Sequence, residues 1–253
     1  ISDSDDTIAI CSGLMYAVAN LSIGNYRVAR MTFDNMSKYM STKEFAERDI
    51  KNESMTFFVS LIIDILIHST KADIVKLREI MQYLPDGMRL FAAYLMAILA
   101  YINGDYSRVV GIADTATSLC AYVHMVPMIY LHIIAAIGLI NMKMIEEAKI
   151  RFRTAVDLAA AEGFWAPFIQ HHGILLGLPE SCMREAFSAE FRYIAAGAHD
   201  FIKGWCNIDN AGEEGAVLEE LTTIEFVIAM LFSKDWSMKE ISFYLEISLR
   251  MVK

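Results

Sequence analysis

The stretch Gly104-Asp105-Tyr106-Ser107-Arg108-Val109, with Ala113 four residues further on, decides how this chain folds. A glycine, an aromatic two places later and small or branched residues at helical spacing describe a tight turn opening into a helix. The glycine closes the turn, the ring packs back on the preceding helix, and the small residues let two helices approach closely. The same arrangement stands at Gly24-Asn25-Tyr26-Arg27-Val28-Ala29 with Phe33, and more loosely at Lys143-Met144-Ile145-Glu146-Glu147-Ala148 with Phe152. These turns lie 80 and 39 residues apart. A degenerate copy turning near Thr70 and Lys71, between helices expected over 55–68 and 73–84, gives a period of about 40 residues and a pair of antiparallel helices per unit.

Working outward, apolar residues recur at i, i+3, i+4 and i+7 in almost every segment to about residue 203, with no sustained alternation of period two. The chain is therefore read as all-α, its helix pairs stacking into a solenoid; an irregular bundle with coincidental turns is the other arrangement this pattern permits. With 55% hydrophobic residues, 21% charged, 13 Gly and 4 Pro in 253 residues, disordered and collagen-like chains are excluded. A formal charge of −9 excludes a surface that is basic throughout, so contact with nucleic acid requires a local patch.

The mean hydropathy of +0.37 and the absence of formal charge over residues 115–142 raise the question of a membrane span. Pro127, His124 and His132 interrupt that stretch, its flanks at Asp114 and Lys143 lack basic clusters and aromatic belts, and Asp64 sits inside the apolar run 57–67. Buried helices of a helical array explain the hydropathy better than a bilayer does. Cys11, Cys120, Cys182 and Cys206 are far apart and form no C-x-x-C pair, which fits a reducing cytoplasm. Ile1 and Lys253 as first and last residues suggest a piece of a longer protein.

Periodicity is lost over 204–217, where Gly, Asn and acids gather, and a linker is expected there. Beyond it, three helix starts can be read. Thr222 with Glu225 and Ser237 with Glu240 are capping boxes, while Leu221 with Phe226 and Trp236 with Ile241 stand at the spacing of hydrophobic staples. Ser248 caps a third start, flanked by Ile247 and Val252. Short helices joined by tight turns describe a helix-turn-helix over 218–253, after a helical-repeat domain over 1–203.

The turn-and-aromatic units of residues 8–200 resemble the tetratricopeptide family, at a period longer than its usual one. The run Glu146-Glu147-Ala148 through Arg153-Thr154-Ala155-Val156-Asp157-Leu158-Ala159 to Glu162-Gly163-Phe164-Trp165-Ala166-Pro167-Phe168 is similar to the last repeats of the sensor solenoid in large bacterial regulators of the maltose-activator type. Leu221, Thr222, Glu225, Lys239, Glu240, Ile241, Leu245, Ile247, Ser248, Val252 and Lys253 reproduce the pattern of the LuxR-type DNA-binding domain. The chain departs from that pattern at Ile224, Asp235, Ser242 and Met251, and it stops at Lys253, inside what the resemblance makes the recognition helix.

The resemblance implies a transcriptional regulator whose helical-repeat region senses an effector and whose terminal helices bind DNA. By it, Lys239 belongs to the supporting helix near the phosphate backbone and Lys253 to the groove-facing side of the recognition helix. Ser248 at the start of that helix and Arg250, a cation suited to phosphate, complete the expected DNA-contacting set. Over 219–253 six acids outnumber four bases, so this stretch alone is expected to bind DNA weakly. The expected partners are DNA, a small-molecule or protein effector on the repeats, and a second copy of the chain; the alternative is a helical-repeat interaction scaffold that binds no DNA.

No enzyme, cofactor or metal is expected. His171 and His172 are adjacent and point about 100° apart on a helix, and neither H-x3-H nor H-E-x-x-H occurs. G-x-S-x-G and G-x4-G-K-[ST] are also missing from the sequence. Sixteen methionines, among them Met125, Met128, Met142 and Met144, suit an ordinary core or an adaptable groove.

Overall fold

The computed structural model describes residues 3–42, 50–63, 74–119, 124–208 and 221–253. All regular structure among them is helical: α1 (Asp3–Ser22), α2 (Tyr26–Met40), α3 (Ile50–Ile63), α4 (Ile74–Ile80), α5 (Asp86–Ile102), α6 (Tyr106–Leu119), α7 (Met125–Asn141), α8 (Ile145–Glu162), α9 (Ala166–His171), α10 (Leu178–Cys182), α11 (Ser188–Ile208), α12 (Thr223–Ser233), α13 (Met238–Tyr244) and α14 (Leu249–Val252). The expected turn near Thr70 lies outside the described residues.

One local device closes four of the helices of the array. After α1, α5, α7 and α8 the chain enters the left-handed region at Gly24 (φ 78°), Gly104 (φ 74°), Lys143 (φ 60°) and Gly163 (φ 64°). In each case the next N–H reaches back five residues, as Asn25 N–H does to Asn20 O (2.8 Å), Asp105 to Ala100 (3.0 Å), Met144 to Leu139 (3.0 Å) and Phe164 to Ala159 (3.0 Å). This is the Schellman closure, which satisfies a carbonyl that the ending helix leaves free and reverses the chain. Glycine enters the left-handed region without steric cost, whereas Lys143 does so with a side chain.

The antiparallel helices so produced pack face to face. From α5 to α8 each helix lies against the next, and α5 also lies against α7. Thirteen of the seventeen residues of α7 are buried, from Pro127 to Ile140, which accounts for the uncharged stretch: the helix is apolar all round because protein surrounds it. No helix among the described residues is long and apolar enough to cross a membrane.

The ends of the array meet. The hairpin of α1 and α2 packs against α11, and α1 also touches α9. An open solenoid leaves its first and last units apart; here the apolar side of α11, with Ile194, Ala198 and Phe201 buried, closes onto the first hairpin, where Ile10, Ala17, Ala29 and Phe33 are buried. Helix α11 continues to Ile208, so residues 204–208, expected as the start of a linker, are helical. A single glycine at 204 costs a helix only about 1 kcal/mol, too little to end it. The remainder of the expected linker lies outside the described residues.

Candidate nucleic-acid interface

The three terminal helices form by the local chemistry their sequence encodes. Thr222 Oγ1 accepts from Glu225 N–H (3.4 Å) while Glu225 Oε2 accepts from Thr222 N–H (2.8 Å). Ser237 Oγ accepts from Glu240 N–H (3.3 Å) and Glu240 Oε2 accepts from Ser237 N–H (2.7 Å). Both are complete capping boxes. Trp236 (3% exposed) and Ile241 (0%) are buried at the staple positions of α13. Between α12 and α13 the chain turns at Asp235 (φ 57°), and Trp236 N–H reaches back to Leu231 O at 3.1 Å, the same closure that joins the helices of the array. Ser248 stands at the N-cap of α14 with extended backbone, but its side chain makes no capping bond, so its expected role there is carried by backbone alone.

Lys239, Ser248, Arg250 and Lys253 are all exposed. Lys239 lies in the first turn of α13. Arg250 and Lys253 are three positions apart along α14 and its end, where side chains neighbour each other. The surface around them is more apolar than the sequence pattern implies: Phe243 is 82% exposed, Met251 57%, Leu249 45% and Met238 43%.

The opposite side of these helices is docked on the array. Lys143, the turn residue between α7 and α8, extends Nζ to Glu240 Oε1 at 2.9 Å and donates to Asp235 O at 3.3 Å, and it lies 5.4 Å from the centre of the Trp236 ring. Ser237 N–H and the Lys143 ammonium together hold the Glu240 carboxyl down at about 2. Lys149 of α8 lies 5.9 Å from the Tyr244 ring centre, and Lys234 Nζ stands 3.5 Å from Tyr106 Oη.

The closest approach is at Gly177, in the corner before α10. A Cβ there would lie 2.8 Å from Leu245 Cδ2, 2.9 Å from Val227 Cγ1 and 3.3 Å from Tyr244 Cε1. Gly177 thereby lies against both α12 and the end of α13, and Leu175, Leu176 and Leu178 belong with Val227, Leu231, Ile241 and Tyr244 to one continuous core. Three helices in 33 residues have too little apolar surface to sustain a separate interior. The array supplies what is missing. Among the described residues the terminal helices thus have a seat on the array.

Sequence reasoning found the two capping boxes, the buried pair Trp236 and Ile241 and the exposed set, expected of Ser248 a cap that its side chain does not make, and missed the seat. Gly177, between Leu176 and Leu178, carries the signal for it: a glycine flanked by large apolar residues outside any helical period, marking a close approach. Among the described residues no group of three His, Cys, Asp or Glu could hold a metal ion. No family model, curated protein or solved structure matches this chain.

Proposed function

We propose that this chain belongs to a cytoplasmic bacterial transcriptional regulator of the LuxR type, with a non-enzymatic, tetratricopeptide-like sensor region of maltose-activator character and a DNA-binding head at 218–253. The observation that carries this reading is the succession of two capping-box helices and a third short helix, with Lys239, Ser248, Arg250 and Lys253 exposed while Trp236, Tyr244, Leu245 and Glu240 make the contacts to the array. Docking through the supporting side leaves the cations available to phosphates and base edges. An effector acting on the helical array, and pairing with a second copy on a two-fold DNA site, belong to the same reading.

The test is fluorescence anisotropy of the full-length protein on specific and scrambled duplexes across a salt series. Lys253→Ala is expected to weaken specific binding by about 1–3 kcal/mol if it reads a base, and Lys239→Ala to weaken binding on every sequence and lower the salt slope by about one. Full-length protein that binds no duplex, with or without effector, overturns the reading. One observation favours a second reading, an interaction scaffold without DNA binding: the core of the terminal helices is continuous with that of the array, as it is when the last helices merely cap a repeat domain.

A further inference from the structure

His171 and His172 are consecutive, yet their side chains serve different parts of the molecule. His171 Nδ1 lies 2.6 Å from Pro167 O, and Nε2 lies 2.6 Å from Tyr94 Oη of α5. A carbonyl only accepts, so Nδ1–H donates to it and Nε2 accepts from the tyrosine. Both rings stand against Tyr130 of α7, at 5.1 Å for Tyr94 and 5.7 Å for His171, and Tyr130 Oη donates to Gln170 Oε1 at 2.7 Å. This cluster ties α5, α7 and α9 together.

His172 turns the other way. Its Nε2 lies 3.2 Å from Glu180 Oε1, with the two side chains 3% and 5% exposed. The approach is off the hydrogen-bond line, and both Glu180 oxygens remain buried without an aligned donor; Tyr244 Oη of α13, also buried, faces Ser181. A buried carboxyl group so sparsely hydrogen-bonded is costly, and the surrounding packing must hold it in place. Between the two histidines and Glu180 the backbone is strained as well: Leu176 (φ 49°) and Gly177 (φ 85°) are consecutive left-handed residues, and the first is a bulky side chain that avoids that region.

We propose that residues 171–182 are a relay coupling the packing of α5, α7 and α9 to the seat of α12 and α13. The relay begins at the Tyr94–His171 bond, passes through the peptide that joins the two histidines to the His172–Glu180 contact, and ends at Tyr244, Leu245 and Val227 around Gly177. Strain and undersatisfied polar groups raise the free energy of the corner's present arrangement, which narrows the gap to a second one in the same packed frame. Movement of α5 against α7 therefore shifts the terminal helices without any contact between α5 and those helices being required. The inference stands whether or not the terminal helices bind DNA.

The experiment is amide hydrogen exchange read by mass spectrometry on the whole chain. Tyr94→Phe removes the hydroxyl and keeps the ring; it is expected to raise exchange over 238–245 about fivefold, the equivalent of one neutral hydrogen bond. Arg89→Ala, which removes the bond from Arg89 Nε of α5 to Leu84 O and the ion pair to Asp86 without involving His171, is expected to leave 238–245 unchanged. Glu180→Gln is expected to raise exchange over 238–245, and adding it to Tyr94→Phe to give less than the product of the two effects. Should Glu180→Gln fail to fold, His172→Gln gives the same readout. The relay is overturned if Tyr94→Phe acts only on 86–102 and 125–141, if Arg89→Ala matches it at 238–245, or if every variant raises exchange uniformly along the chain.

Discussion

Acid should weaken this fold through His171 in a pH window that the structure defines. The imidazole is fully enclosed by Tyr94, Tyr130 and the end of α9, and burial pushes it from its ordinary 6.5 down to about 4, with the bond to Pro167 O working weakly the other way. Above pH 6.5 the side chain is neutral in both folded and unfolded chains and titration contributes nothing. Below it the unfolded chain takes up a proton that the folded chain refuses until about pH 4, so stability falls as pH falls. At 1.36 kcal/mol per unit the loss is about 2 kcal/mol at pH 5 and about 3 kcal/mol by pH 4. His171→Gln keeps one donor for Pro167 O and one acceptor for Tyr94, and removes the titration. Urea unfolding followed by circular dichroism at pH 7.5, 6 and 5 should find the wild type more stable at pH 7.5, with its advantage shrinking by about 2 kcal/mol at pH 5. His132, which burial also lowers, is present in both proteins and cancels. Parallel pH profiles for the two proteins would refute the reasoning.

Gly177→Ala should destabilise the junction by about 2–4 kcal/mol, because the new methyl meets Leu245 and Val227 and the residue stands at φ 85°; cleavage by limited proteolysis should then appear within 221–253 before it appears in α5–α8. Thr222→Ala and Ser237→Ala should each cost about 1 kcal/mol by removing a capping box, and because the caps are separate, chemical denaturation of the double variant should give roughly the sum.

The helices were legible in the sequence wherever a local device sets them. Gly24 and Gly104 mark turns because the Schellman closure requires a left-handed residue, and Thr222–Glu225 and Ser237–Glu240 mark helix starts because a reciprocal bond needs that spacing. Lys143 could be read as a turn only through its period, since lysine carries no conformational signal, and Asp235 departs from the family pattern at a position whose φ is the one glycine favours. What the sequence did not disclose depends on distant pairs. Nothing in the periodicity of α1 says that α11 will cover it, and a composition rich in Gly, Asn and acid over 204–217 points to a linker even where the helix runs on to Ile208. The exposed set Lys239, Ser248, Arg250 and Lys253 was readable from pattern, while the placing of Lys143 against Glu240, almost a hundred residues apart, was not.

The contact of α1 and α2 with α11 sets a timetable for the nascent chain. The α1–α2 hairpin leaves the ribosome with a face prepared for a partner that is translated about 170 residues later, roughly 10–30 s at ordinary elongation rates. Through that interval the middle helices, whose contacts are mostly with their sequence neighbours, can pair as they emerge, whereas the part of the α1–α2 hairpin that meets α11 waits uncovered. Synthesis of this chain therefore creates a lasting client for chaperones that bind apolar surface, and slowing translation between α2 and α11 should lengthen that association in proportion.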